Sequence, residues 1–344
     1  NWAGAHPRVA ARMAEASSGY AAAYGSSDLD KKVELRFAEI FEREVAVFFV
    51  ATGTAANSLA MTSASRPGAV AFCHRDAHMV ADECGAPEYL SGGTVRMLPV
   101  DGPIGRMDLG ALRQSVARFN PGSVHGGRPT AVSITQATEV GTVYHLDEIA
   151  EIGDLCREKS LTLHMDGARF ANALTSLDAS PAEMTWKRGV DIVSFGGTKN
   201  GCWCAEAVIL FDLDRAKDFG FARKRAAQLF SKSRFIAAQF DAYFEDGLWL
   251  DSARHANAMS TRLARAFGAS NRARLAWEPE ANEVFAIMAR IDHARLSEAG
   301  ARFYEWQPPL GFGGELGPDD RLYRFVTSFA TTTEDVDRFA DLLG

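Results

Sequence analysis

The stretch 161–201, LTLHMDGARFANALTSLDASPAEMTWKRGVDIVSFGGTKNG, constrains this chain more than any other. It holds two short apolar runs, each ending abruptly in polar chemistry. Residues 161–165 stop at Asp166-Gly167-Ala168-Arg169, and residues 191–195 stop at Gly196-Gly197-Thr198-Lys199-Asn200. Apolar runs of this length bounded by turn signals predict buried strands, and open α/β sheets bind ligands at the carboxyl ends of such strands. Asp166 and Lys199 are therefore expected to face one crevice. A lysine there forms a Schiff base with a carbonyl cofactor, and a carboxylate keeps a pyridinium nitrogen protonated: the pairing used with pyridoxal 5'-phosphate. For either residue alone, a surface salt bridge at a strand end competes with that reading.

The flanking segments read as scaffold. Residues 45–50, 70–73, 94–100, 131–135 and 207–211 have strand character, with helical patterns at 109–119 and 146–159. Strands and helices alternating at this spacing predict βαβ units and a mostly parallel sheet, an α/β fold. The first strand runs into Thr52-Gly53-Thr54-Ala55-Ala56-Asn57, a helix start. Gly53 and Thr54 suit a phosphate because small residues let an anion approach free N–H groups at the positive end of a helix. An ordinary helix cap without a ligand fits the same residues. The preceding segment 29–41 is helical, with Leu35, Phe37, Ile40 and Phe41 expected on its buried side.

A helix opening near His78 would put Asp82 at i+4 on the same face. His164 stands two residues before Asp166, so it points to the same face and is expected to support the acid. Residues 214–246 read as helical and basic in the middle, through Arg223, Lys224, Arg225, Lys232 and Arg234. That pattern fits a solvated face or a reach toward phosphate across a subunit boundary. From Leu248 the pattern becomes a smaller α+β unit, with strands at 284–291 and 322–329, a Gly/Pro-containing loop at 311–320 and a last helix from Glu334. Arg324 lies inside the second of these strands, where an unpaired cation is costly and a planar fork suits a carboxylate.

Composition narrows the classes. With 344 residues, 47% hydrophobic and 24% charged, the chain is long enough for one large core and a smaller domain of ordinary globular type. A net charge of −7 argues against nucleic acid or an anionic membrane as partner. Five cysteines make no disulfide framework and fit a reducing cytoplasm. Cys202 and Cys204, without a second Cys/His pair, read as structural thiols, so no metal is expected. No Gly-x-Gly-x-x-Gly follows the first strand, which weighs against a nicotinamide dehydrogenase.

Together, these motifs resemble the pyridoxal-phosphate-dependent threonine aldolases of aminotransferase fold type I, especially the low-specificity threonine and phenylserine aldolases. The resemblance runs over nearly the whole chain. It rests on Tyr24-Gly25, the segment 52–57, His78 with Glu83-Cys84-Gly85, Ser-Ile-Thr-Gln-Ala-Thr-Glu-Val-Gly at 133–141, His-Met-Asp-Gly-Ala-Arg at 164–169, Ser-Phe-Gly-Gly-Thr-Lys at 194–199 and Arg-Phe-Val-Thr at 324–327.

The resemblance implies a mostly parallel seven-stranded sheet in a large cofactor-binding domain, residues 13–240. Residues 1–12 and 241–344 would form a small α+β domain. It implies that Lys199 carries the cofactor, Asp166 faces its ring nitrogen, His78 stacks on the ring, and Gly53 and Thr54 hold the phosphate. Arg169 and Arg324 would clamp a substrate carboxylate, with Tyr24 and Lys232 reaching a neighbouring subunit of a cytoplasmic homotetramer, a dimer of dimers. The implied reaction is retro-aldol cleavage of a β-hydroxy-α-amino acid to glycine and an aldehyde.

Two features depart from the family pattern. Many members carry a histidine in the segment matching 135–139, where this chain places Thr138. Members also usually have a Ser-Asp pair just before the position of Asn1, so a substrate contact from upstream is expected. The first candidate for the base at the β-hydroxyl is His78, with Asp82 in reserve. Competing readings are a β-eliminating or serine hydroxymethyltransferase-like lyase and, more remotely, a non-catalytic regulator that binds pyridoxal phosphate.

Overall fold

The computed structural model describes residues 2–120, 122–309 and 311–344. Among them, seven strands form one sheet: β1 (Ala46–Val50), β2 (Ala69–His74), β3 (Val95–Val100), β4 (Arg128–Thr135), β5 (Thr162–Gly167), β6 (Ile192–Gly196) and β7 (Glu206–Leu210). Their order is β1-β7-β6-β5-β4-β2-β3. Only β7 runs against its neighbours; the pairs β6-β5, β5-β4, β4-β2 and β2-β3 are parallel. Every residue of β5 and β6 is buried, because helices cover both faces of the sheet, and this explains why those strands read as continuous apolar runs.

On one face, Phe37 sits edge-on to Phe195 and Phe244, with ring centroids 5.2 and 4.9 Å apart, at the centre of an aromatic core. On the other, the helix Gly53–Thr62 packs Leu59 and Met61 against Ala71 and Val208. Two glycines let the ends of β5 and β6 come together. A Cβ on Gly167 would lie 2.7 Å from the Ser194 carbonyl oxygen, and one on Gly196 would lie 2.8 Å from the Cα of Ala168. Close strand ends bring the segments carrying Asp166 and Lys199 side by side.

A second, antiparallel sheet contains β8 (Ala273–Leu275), β9 (Glu283–Ala289), β10 (Tyr304–Trp306) and β11 (Asp320–Val326), in the order β10-β11-β9-β8. Phe267, Phe303 and Phe325 fill its core. The 22-residue helix Leu248–Ala269 joins the two cores: Leu248, Trp249 and Ala253 belong to the first, Leu263 and Phe267 to the second. No helix among the described residues is long and apolar enough to cross a membrane.

Three expectations are corrected. The segment 214–246 is two helices, Leu213–Arg225 and Arg234–Phe244, rather than one. The break begins at Ala226 and Ala227, the latter with φ of 58°, so the basic triplet 223–225 occupies a helix C-terminus, where it complements the dipole. Leu35 points to solvent at 67% exposure, because the helix Asp28–Ile40 turns Asp30, Val33 and Phe37 inward at three- and four-residue spacing, with Phe41 following at its cap. His164 makes no hydrogen bond to Asp166 among the described residues. It is fully buried, bonded through Nδ1 to the Ser133 hydroxyl at 2.8 Å and through Nε2 to the Ser194 hydroxyl at 2.9 Å, tying β4 to β6 across β5. Burial pushes it down to about 3, so it stays neutral.

Candidate active site

Asp166 lies at the end of β5, 2% exposed. Its Oδ1 accepts from the Ala168 backbone N–H at 3.0 Å and its Oδ2 from Asn57 Nδ2 at 2.9 Å. Burial raises the Asp166 pKa, the nearby Glu139 charge adds to that, and Lys199 and the two donors oppose it. Asn57 sits one turn into the helix Gly53–Thr62, and the same Nδ2 donates to Glu83 Oε1 at 2.8 Å. Glu83 Oε1 also meets His78 Nδ1 at 2.9 Å. A continuous polar chain thus joins His78, Glu83, Asn57 and Asp166 across three separate elements.

His78 opens the one-turn helix His78–Ala81 and is half-buried. Its hydrogen bond to Glu83 raises its pKa; burial and Lys199 oppose this, while the charges of Glu139 and Glu83 reinforce it. The carboxylate expected beside it, Asp82, is exposed, because the helix ends after one turn and Asp82 caps it. The neighbouring position, Glu83, turns inward instead.

Gly53 and Thr54 form the N-terminus of the helix Gly53–Thr62. The Thr52 hydroxyl caps it by accepting from the Ala55 N–H at 3.1 Å, one residue beyond the two glycine and threonine amides. A Cβ built on Gly53 meets nothing within 4 Å, so the helix start opens onto free space. Lys199 lies on the short 3-10 turn Thr198–Asn200 directly after β6. The turn is fixed from beneath: the Thr198 hydroxyl accepts from Ala205 N–H at 3.2 Å, and Asn200 Nδ2 donates to the Tyr243 hydroxyl at 2.7 Å.

Arg169 and Arg324 come from different sheets and meet at one carboxylate. Arg169 follows β5 and is buried; its Nη2 donates to Glu283 Oε1 at 2.8 Å. Arg324 Nη1, from β11, lies 3.8 Å from the same oxygen, and its guanidinium stacks over the Trp306 ring at 4.0 Å. Glu283 is fully buried at the start of β9. Burial raises its pKa despite Arg169. Nε and Nη1 of Arg169 and Nε of Arg324 remain buried without a partner among the described residues. Buried donors of this kind cost about 1–3 kcal/mol each when left unsatisfied, so the crevice is built to receive an acceptor from outside.

With this geometry in view, the relatives are informative. A family model described as Beta-eliminating lyase matches residues 1–291. A low specificity L-threonine aldolase of Pseudomonas aeruginosa is 39% identical over 340 residues, covering 99% of this chain and 94% of its own. The chain belongs to the threonine aldolase family. A second low specificity L-threonine aldolase, from a Pseudomonas species, is 40% identical over 314 residues, with 91% of this chain and 89% of that one covered. The solved structure of a Leishmania major threonine aldolase superposes with a TM-score of 0.91 at 28% identity, over 99% of this chain and 96% of that one.

Within the family frame, the position first assigned to Thr138 is not open to a ligand. The Thr138 hydroxyl is engaged with that of Thr142 at 2.8 Å inside its own turn. The adjacent Glu139 is buried at 6% exposure. Tyr24 and Lys232 are both exposed and lie together on the surface, the Tyr24 N–H donating to the Ser231 carbonyl at 3.1 Å.

Asn57, Glu139, Glu283 and Trp306 went unassigned in the sequence. Asn57 and Glu139 fall inside the quoted motifs, and an acid abutting the apolar run 284–289 was a signal at Glu283. Nothing local marked Trp306.

Proposed function

We propose that this protein is a pyridoxal 5'-phosphate-dependent aldolase that cleaves β-hydroxy-α-amino acids of the threonine, allo-threonine and phenylserine type to glycine and an aldehyde. The observation that supports this reading is that Lys199, Arg169 and Arg324 lie near enough to act on one buried acid, Glu139, with Asp166 beside it, and that nitrogens of the two arginines are buried and unpartnered among the described residues. The residues fit the cofactor. Lys199 offers the amine, Asp166 a buried carboxylate for the ring nitrogen, His78 a flat ring, and the Gly53 and Thr54 amides an anion cradle with open space before it.

When bound, pyridoxal phosphate supplies a carbonyl that captures the substrate amine and a conjugated ring that accepts the electron pair released at Cα. Arg169 and Arg324 hold the substrate carboxylate and so fix rotation about Cα, which decides the bond to be broken. Asp166 keeps a proton on the ring nitrogen. A cation facing Asp166 reverses the effect of its burial, because opposite charge favours the ionised acid.

The same reading assigns residues 13–240 to cofactor binding and residues 1–12 with 241–344 to a small domain. It takes the protein as a cytoplasmic homotetramer in which Tyr24 and Lys232 serve a neighbouring subunit; their exposure on one patch supports this. Incubation with threonine, allo-threonine and phenylserine should yield glycine with acetaldehyde or benzaldehyde. A keto acid and ammonia would instead mark a β-eliminating lyase, the reading suggested by the family model's description. Lys199→Ala should also abolish the borohydride-reducible visible chromophore, and its survival would sink the lysine's assignment.

A further inference from the structure

The loop between β4 and the helix Leu146–Lys159 presents a carboxylate that the fold does not use. Residues 138–141 form a tight turn closed by the Gly141 N–H on the Thr138 carbonyl at 3.1 Å and by the Thr138 N–H on the Thr142 carbonyl at 2.9 Å. The Thr142 hydroxyl donates to the Ile104 carbonyl at 3.0 Å, and the Val140 carbonyl accepts from Trp277 Nε1 at 3.0 Å. Gly105 packs so closely that a Cβ there would lie 2.5 Å from the Thr138 hydroxyl oxygen. Glu139 occupies the second position of this rigid turn, so its placement is fixed by backbone rather than by its own contacts.

Glu139 Oε1 is buried and has no hydrogen-bond partner among the described residues. A buried carboxylate in that condition normally gains a proton. Here burial indeed pushes the pKa upward, but Lys199, Arg169, His78 and Arg324 outweigh it and hold Glu139 below its ordinary value. The four cations come from four elements, and they are the same side chains that define the crevice. Asp166 and Glu283 face Glu139 from the negative side. Glu139 is therefore an ionised, unpartnered acceptor among the groups proposed to hold cofactor and substrate.

We propose that Glu139 is the base that takes the β-hydroxyl proton of the substrate, an assignment that rests on the aldolase reading above. The alternatives are less suited. His78 has Nδ1 occupied by Glu83, an arrangement that favours its protonated form, and Asp82 is exposed. In the step itself the hydroxyl O–H bond breaks and its proton passes to Glu139. The O–H electron pair becomes the second bond of the aldehyde carbonyl, and the Cα–Cβ pair remains on Cα. A proton then returns to Cα, so glycine and aldehyde together contain every atom of the substrate.

The test uses cofactor-loaded wild type and Glu139→Gln, which preserves size while removing the base. General-base removal is expected to lower kcat for threonine cleavage by about 100-fold or more. Glycine affinity, read from the absorbance of the bound cofactor, and exchange of the glycine α-proton with deuterated water should stay within a few-fold, since neither involves a hydroxyl. Cleavage within about threefold of wild type overturns the assignment. Equal losses of cleavage and exchange also overturn it, by showing a general electrostatic role. If Glu139→Gln does not fold, Glu139→Asp must show the same split between cleavage and exchange at smaller size. Wild type that cleaves none of the β-hydroxy amino acids refutes the aldolase reading, whereas active wild type beside an equally active variant refutes Glu139 alone. The pH profile separates Glu139 from His78. With Glu139 as base, kcat of wild type keeps its plateau below pH 6.5; with His78 it falls through an acid limb at or above 6.5, the ordinary imidazole value.

Discussion

Replacing Asn57 with alanine tests the polar chain beneath the site. Asn57 Nδ2 donates to Glu83 Oε1 at 2.8 Å and to Asp166 Oδ2 at 2.9 Å, and it is the link between those buried acids. Hydrogen bonds to charged groups contribute about 1.5–3 kcal/mol each, so losing both costs at most about 6 kcal/mol. Both acids already have raised pKa values through burial and can take up a proton in response, which brings the expected loss toward about 3 kcal/mol. For a protein of this size that corresponds to a fall in Tm of roughly 4 °C. Calorimetry of apo and cofactor-loaded protein reads it directly. The loaded form should fall further than the apo form, because the ring nitrogen then faces an Asp166 held by one donor, the Ala168 N–H, instead of two. Asn57→Asp, which sets a third carboxylate between the other two, should be more damaging at pH 8 than at pH 5. An Asn57→Ala apo protein within about 2 °C of wild type would refute the claim that this chain contributes to stability.

Two further predictions use neighbouring residues. Glu206, paired with Gly196 where β7 meets the end of β6, accepts weakly from the Thr198 N–H at 3.4 Å, and burial pushes it up to about 7 from an ordinary 4.5. A raised folded value means that its contribution to stability is complete below 4.5 and is lost as the pH rises through about 7. At about 1.4 kcal/mol per pH unit, the loss is about 3 kcal/mol. Relative to Glu206→Gln, wild type should weaken by that amount between pH 4.5 and pH 8 in denaturant unfolding, and a constant difference across the range would contradict it. Trp306→Ala removes the ring under the Arg324 guanidinium, a contact worth about 0.5–1 kcal/mol, so KM should rise about two- to fivefold with kcat little changed. A fall in kcat at unchanged KM would show that Trp306 acts otherwise.

The large sheet was legible because its strands are short apolar runs, and in β5 and β6 these runs stop at an acid or glycine. The observed bounds of β5 and β6 differ by two residues at most from the runs read in the sequence. The same abruptness exposed Asp166 and Lys199. What stayed hidden depends on contacts with no local signature: Asn57 meets Asp166 across 109 residues, and Arg169 meets Glu283 across 114. Glu83 and Asp82 show the limit from the other side. Helical spacing favoured Asp82, but the helix lasts a single turn, so the i+4 rule had no second turn on which to act. In the same loop, turn closure engages the Thr138 hydroxyl with that of Thr142, while the adjacent Glu139 is buried, a difference that neighbouring positions in a motif do not reveal.

Val140, next to Glu139, belongs by sequence to a loop of the large sheet, yet it is seated among Phe285, Ile287 and Leu322 of the small one. Gly141 presses so closely on the Glu283 carbonyl that a Cβ would come within 2.8 Å of it. The loop therefore works as a peg held in a socket on the other body. Separating the two sheets must either unseat Val140 or drag the Glu139 carboxylate out of register with Lys199. An apolar side chain with no chemistry of its own thus makes the reactive arrangement conditional on a closed crevice.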